Sequence, residues 1–172
     1  RGANIPSFEV FISPDFRKTE GKIRFTEPLY RYGNLIKDVY LEFENGKVMK
    51  AEAESGNDVL NEMINTDEGA SRVGEYSLTD SRLSRITKFM ATTLFDENVG
   101  GKYGNTHLAL GKAYKECYKG NVAKVSKEKW KELGYNESAI HTDIVATSNR
   151  EVIAYLSDGS EKAIYKDGRF AI

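Results

Sequence analysis

Apolar and polar positions alternate or cluster over short stretches of this chain, and turn residues interrupt them every few positions, so the short strand is the dominant expected element. Glu9-Val10-Phe11-Ile12 reads as a strand closed by Ser13-Pro14-Asp15, and Lys22-Ile23-Arg24-Phe25-Thr26 as a second one ended near Pro28. Val39 to Glu44 and Lys47 to Ala51 flank Asn45-Gly46, a pair suited to a two-residue hairpin turn because both turn positions take positive φ. That register sets Glu44 opposite Lys47 and Phe43 opposite Val48, one ionic and one apolar pair. Ser55 and Asp58 have capping-box spacing, and Val59, Leu60, Met63 and Ile64 follow on one helical face, which predicts a helix over about 56–65. A second helix is predicted from Lys127 to Leu133, capped by Ser126, with Trp130 and Leu133 on one side and Gly134 as its stop. From Glu151 to Ile172 apolar runs alternate with Asp158-Gly159 and Asp167-Gly168, the pattern of a β-meander. No fixed-period repeat, low-complexity tract or linker divides the chain. The fold class expected is α+β, a strand-rich mixed sheet with hairpins and a few helices, in a single domain over residues 1–172.

At 172 residues and 19.3 kDa the chain can bury a core without covalent staples. Lys and Arg number 25 against 26 Asp and Glu, a formal charge of −1 with a pI near 6.2, so no basic field points to nucleic acid or to an anionic membrane surface. One cysteine, Cys117, excludes an intrachain disulfide framework and Cys-rich zinc or iron–sulfur ligation, and fits a reducing, cytoplasmic compartment. Apolar runs are short and mean hydropathy is −0.54, so neither a membrane span nor a secretion signal is expected. The chain opens on Arg1, and the motif-like segment Asn4-Ile5-Pro6-Ser7-Phe8-Glu9-Val10-Phe11 begins almost at once, as expected of a piece of a longer polypeptide.

Imidazole chemistry can come only from His107 and His141. In an extended His141-Thr142-Asp143 the first and third side chains share a face, a spacing that suits a metal, although for an isolated His-x-Asp a hydrogen-bonded pair at a strand start is the plainer reading. His107 begins the stretch His107-Leu108-Ala109-Leu110-Gly111-Lys112-Ala113-Tyr114. Read as a helix, it places His107 and Tyr114 two turns apart on one face; Gly111 favours instead a strand turning into a helix at the glycine. A core tyrosine with a satisfied hydroxyl is the plain reading of Tyr114. Among the carboxylates, Glu9 sits in an otherwise apolar strand, where alternation turns it to solvent by default and burial would demand a partner. Glu75 follows the small-residue stretch Gly69-Ala70-Ser71-Arg72-Val73-Gly74, which lets backbone approach closely, and Glu97 ends an apolar run before the loop Gly100-Gly101-Lys102-Tyr103-Gly104.

Taken together these segments resemble the aminopeptidase T/aminopeptidase S family of thermophilic metallo-aminopeptidases. Asn4-Ile5-Pro6-Ser7-x-Glu9-Val10-Phe11 with Ser13-Pro14 and Thr19-Glu20-Gly21 is similar to the opening motif of that family's catalytic part. Gly69-Ala70-x-Arg72-x-Gly74-Glu75 is similar to its second motif. Thr93-Leu94-Phe95-Asp96-Glu97-Asn98 with His107-x-Ala109-x-Gly111-x-Ala113-Tyr114 is similar to the third, and Ile140-His141-x-Asp143 to the fourth. Phe8 departs from the pattern, since many relatives carry a second acidic residue there, and the glycine-rich loop lengthens the interval from Glu97 to His107. The resemblance implies an exopeptidase with two divalent ions held by Glu9, Glu75, Glu97, His107, His141 and Asp143, with Tyr114 as a ligand or near-ligand. Mixed imidazole and carboxylate donors suit zinc, cobalt or manganese. Glu75 or Glu9 would bridge the ions, Glu97 or Glu75 would move a proton, and Tyr114 would donate to the oxyanion. The resemblance also implies peptide substrates with a free N-terminus, a homodimer in the full-length protein, and an N-terminal domain that this sequence lacks. Two other readings remain open: a non-catalytic metal- or peptide-binding module, the isolated fragment being inactive, and a carboxylate-pair glycosidase working without His ligands.

Overall fold

The computed structural model describes residues 8–171, so the Asn4 to Ser7 part of the opening motif lies outside the described residues. Strand β1 (Glu9–Ile12) alternates as its sequence requires, but in the opposite sense to the default. Val10 is 61% exposed and Ile12 faces out as well, while Glu9 and Phe11 turn toward the protein. Solvent exposure was the expectation for Glu9; the correction follows from the inner face of this strand being polar, as described below.

Strand β2 (Gly21–Arg24) is followed by β3 (Leu29–Arg31) and β4 (Asn34–Ile36), a small hairpin that the apolar pattern does not announce because Pro28 and Gly33 break it up. Strands β5 (Tyr40–Glu44) and β6 (Lys47–Glu52) pair as predicted, Glu44 with Lys47 and Phe43 with Val48, and Asn45 and Gly46 take φ of 51° and 76°. Helix α1 (Asn57–Ile64) buries Leu60, Met63 and Ile64. Its N-cap is Gly56 in the left-handed region and carries no side-chain hydrogen bond, so the Ser55 capping box does not form. The Asn57 side chain instead accepts from the Ala53 N–H, closing the preceding turn.

Strands β7 (Val73–Thr79) and β8 (Asn105–Gly111) lie either side, in sequence, of the one-turn helix α2 (Thr93–Asp96). All seven residues of β8 are buried and both of its edges are paired, which settles this stretch as strand rather than helix. After Gly111 only a 3₁₀ turn at Lys115–Cys117 forms, so the helical placement of His107 and Tyr114 on one face is corrected. Helix α3 (Lys127–Glu132) is capped by Ser126, whose Oγ accepts from Lys129 N, and Gly134 ends it. Trp130 is buried, but Leu133 is 39% exposed, because the helix stops before a second apolar turn can be covered.

Strand β9 (His141–Ala146) completes a four-stranded sheet in the order β1-β7-β8-β9. Strands β10 (Val152–Tyr155), β11 (Glu161–Lys166) and β12 (Arg169–Phe170) form the expected meander, and β2-β5-β6 and β3-β4 make two further sheets. The strand pairings among the described residues are antiparallel. The α+β class stands, with separate antiparallel sheets where one mixed sheet was expected; in the β1-β7-β8-β9 sheet the neighbours are antiparallel although long segments join them. Leu108, Leu110, Ile144 and Ala146 from one face of the β1-β7-β8-β9 sheet join Leu41, Phe43, Val48, Leu60 and Met63 in a single core cluster. Among the described residues no helix is long and apolar enough to cross a membrane.

Candidate metal centre

Residues directly opposite in an antiparallel pair point to the same face, so the register alone determines what the other face of this sheet carries. Glu9 opposes Thr79, Ser77 opposes His107, Glu75 opposes Ala109, Ala109 opposes Asp143 and Gly111 opposes His141. One face is therefore apolar and seals the core, while the other collects Glu9, Glu75, His107, His141 and Asp143 from four different strands. A bulge between Val73 and Glu75 brings the second of these carboxylates into register. Gly74 sits inside that bulge, and a Cβ there would meet the Gly111 and Lys112 carbonyl oxygens at 2.4 and 2.5 Å, so only glycine lets β7 pack this closely.

The side chains meet. His107 Nε2 lies 3.2 Å from Glu9 Oε2, 3.5 Å from Glu75 Oε1 and 3.8 Å from Asp143 Oδ1. His141 Nε2 lies 3.2 Å from Glu75 Oε2 and 3.3 Å from Asp143 Oδ1. Glu97, the residue following α2, reaches the cluster from outside the sheet, and its carboxylate groups with His107 and Asp143. Three overlapping donor sets result: Glu9, Glu75 and His107; Glu75, His141 and Asp143; and Glu97, His107 and Asp143. Glu75, His107 and Asp143 each belong to two of them. Tyr114 stands at the rim, its ring packed edge-on against His141 at 4.7 Å and against Phe11 at 5.5 Å. All seven residues singled out in the sequence thus lie at one place, six as donors in the cluster and Tyr114 beside it.

Both imidazoles are oriented from behind by backbone. The Glu97 carbonyl faces His107 Nδ1 at 3.0 Å and the Lys112 carbonyl faces His141 Nδ1 at 2.6 Å, so each ring donates from Nδ1 and presents Nε2 to the cluster. Yet His107 Nε2, His141 Nε2 and Asp143 Oδ1 are buried without a hydrogen bond, because the neighbouring carboxylates, though close, are not in line with them. Donor atoms bound at about 2.0–2.2 Å around a tetrahedral ion lie about 3.4 Å apart. The 3.2–3.8 Å contacts match that spacing, and a donor set of imidazole nitrogen and carboxylate oxygen is one a divalent cation accepts. The residues present therefore fit a divalent metal.

Protonation tells the same story. Burial pulls His107 down, but Glu75, Asp143 and Glu9 outweigh it and lift the group to about 9. His141 is likewise opposed by burial and lifted to about 10 by Asp143 and Glu75. Burial and the charge of Asp143 push Glu97 up to about 8, and burial raises Glu9 against the pull of His107 and Ser77. Asp143, penalised by burial, is held below the usual carboxylate range by His141 and His107. Burial and the surrounding carboxylates, Glu75 first, raise Tyr114, which keeps its hydroxyl proton.

Two supporting residues escaped the sequence reading. Ser77, fully buried, donates to Glu9 Oε2 at 2.6 Å, and Asn105 holds the turn at Glu97. Each lies two positions from a cluster member on its own strand, so alternation applied outward from Glu75 and His107 would have found both.

A sheet face that buries this many acids against two imidazoles is of the class suited to hold a divalent cation. The profile of the thermophilic metalloprotease (M29) family matches residues 2–170, and the chain belongs to that family. It is 36% identical over 172 residues to aminopeptidase AmpS of Bacillus subtilis (strain 168), covering 98% of this chain and 40% of that protein. It is 34% identical to aminopeptidase T of Thermus aquaticus with the same coverage. The solved structure of wild-type AmpT from Thermus thermophilus superposes with a TM-score of 0.85 at 32% identity, over 97% of this chain and 40% of that one. The chain thus spans about 40% of the length of the curated relatives it matches.

Proposed function

We propose that this chain is the metal-binding catalytic part of a metal-dependent aminopeptidase that removes N-terminal residues from peptides, with two divalent ions at the cluster. The observation that supports this most directly is the convergence of His107 Nε2, His141 Nε2 and Asp143 Oδ1, buried and without hydrogen bonds, on the carboxylates of Glu9 and Glu75. Two ions are favoured over one because the three donor sets overlap through shared residues, and Glu75, common to two of them, would help to hold both. Held by Glu9, Glu75, Glu97, His107, His141 and Asp143, such ions would lower the pKa of bound water toward neutrality and polarise a scissile carbonyl.

The chain's own groups supply the rest. Glu97, which reaches the cluster from outside the sheet beside His107 and Asp143, is placed to carry a proton to the leaving amine. Tyr114 keeps its proton and stands beside His141, where its hydroxyl can donate to the oxygen that gains charge on attack. The substrate's free α-amine would be taken at the centre or by a carboxylate beside it, which makes release of the terminal residue the expected outcome. Glu9, gripped by Ser77, is held in position for its part in the cluster.

The test is metal analysis together with hydrolysis of Leu-, Phe- and Tyr-p-nitroanilide, in this chain and in the longer polypeptide. Activity should be lost on chelation and restored by zinc, cobalt or manganese. Glu75→Gln and His141→Ala should lose bound metal and turnover while keeping the fold by circular dichroism. Chelator-insensitive hydrolysis would remove the metal from the mechanism, and full activity in either variant would refute the site assignment. A peptide bound and recovered intact at saturating metal would instead identify a non-catalytic binding module.

A further inference from the structure

The Glu97 turn serves the cluster in two ways at once. Its carboxylate joins His107 and Asp143, and its carbonyl accepts from His107 Nδ1. A shift of this turn would therefore misplace one donor and release the ring orientation of another. Asn105 ties it to β8, beside the turn's own backbone hydrogen bonds from the Glu97, Asn98 and Val99 N–H groups. The residue is 1% exposed, and its Nδ2 donates to the Glu97 carbonyl at 2.7 Å and to the Val99 carbonyl at 2.8 Å. With two carbonyls facing it, the amide must present its NH₂ end, since the oxygen would be repelled. Asn105 Oδ1 is left buried without a hydrogen bond, a cost the fold tolerates to keep both donors on the turn. On the strand, Asn105 lies two residues before His107 and shares its face, so one short segment of β8 carries both the ring and the clamp that orients it.

We infer that Asn105 is a positioning residue of the metal centre: by clamping the Glu97 turn it fixes the His107 ring with Nδ1–H on the Glu97 carbonyl and seats the Glu97 carboxylate, and so sets metal affinity without touching the ion. This rests on the metal-centre reading above. Outer-shell partners of this kind typically alter affinity by about 10–100-fold.

The experiment compares the unsubstituted protein with Asn105→Ala and Asn105→Ser. Zn²⁺ affinity is read by competition with a chromophoric chelator, Co²⁺ coordination by visible absorption, and the metal-free fold by melting in EDTA. Affinity should fall about 10–100-fold in the alanine variant and less in the serine variant, whose hydroxyl restores one donor, with the Co²⁺ spectrum altered in both. A lower metal-free Tm with unchanged affinity and Co²⁺ spectrum would assign Asn105 a structural role and overturn the inference. If neither variant folds, nitrogen NMR of the Zn²⁺-loaded unsubstituted protein decides. The His107 proton should reside on Nδ1, and the Asn105 side-chain protons should resist exchange; a proton on Nε2 or rapid exchange overturns the inference. Absence of Zn²⁺ uptake by the unsubstituted protein would remove the metal-centre reading and this inference together, whereas equal uptake by protein and variants would remove the inference alone.

Discussion

His107 and His141 illustrate how a residue's chemistry is set by what encloses it. Burial alone would keep both neutral at physiological pH, yet the acids around them lift them to about 9 and about 10, and Glu97 rises to about 8 in the same enclosure. All three values lie above those of an unfolded chain, so the folded state binds these protons more tightly than the unfolded one. Their contribution to stability is complete at low pH and disappears as pH climbs toward the shifted values. In EDTA the two imidazoles should therefore make Tm fall from about pH 6.5 to pH 10, with Glu97 adding to the fall below about pH 8, measured by thermal denaturation across that range. A flat or rising Tm there would show that the carboxylate charges do not stabilise the imidazolium forms. At this scale the candidate donors were legible, since there are only two histidines and the His-x-Asp spacing declares itself. The burial of Glu9 was not, because alternation states which residues share a face but not which face turns inward.

At the scale of elements, the hairpin at Asn45-Gly46 and the meander were legible because turn chemistry acts locally. Strand β8 was ambiguous because an apolar run with a glycine fits either period, and only pairing on both edges decided it. The meander is tied to the site-bearing sheet by Asp80, just past β7. Its fully buried carboxylate accepts from Arg82 N and Nε at 2.9 and 2.8 Å and from Phe170 N at 2.8 Å. Tyr165 adds hydrogen bonds to the Thr79 and Tyr103 carbonyls. Arg82 holds the Asp80 carboxyl well below the usual range against the opposing effect of burial, so its contribution is present above about pH 4 and lost as acid protonates it. Asp80→Ala should lower stability by roughly 2–3 kcal/mol, a fall of about 4–12 °C in Tm, and should speed hydrogen exchange in β11 and β12 ahead of β8. Uniform exchange would mean that Asp80 does not couple the meander to the sheet.

For the whole molecule, the metal centre joins strands that are remote in sequence, so an ion that binds only the folded chain should stabilise all of them together. Free Zn²⁺ or Co²⁺ at 100 times its Kd is expected to contribute about 2.7 kcal/mol, raising Tm by about 5–11 °C, with no such rise in His141→Ala. An equal rise in that variant would place the ion elsewhere. The amino-acid sequence by itself determined the α+β class, the hairpin and meander, the set of residues able to hold a cation and the family resemblance, because periodicity, turn preference and donor type are local properties. Only the tertiary structure decided that Glu9 faces inward, that His107 lies on a central strand, that Ser77 and Asn105 brace the donors, and that three donor sets overlap. Those facts depend on register and on contacts between distant segments, which emerge when four strands align and one face of the sheet is sealed against the core.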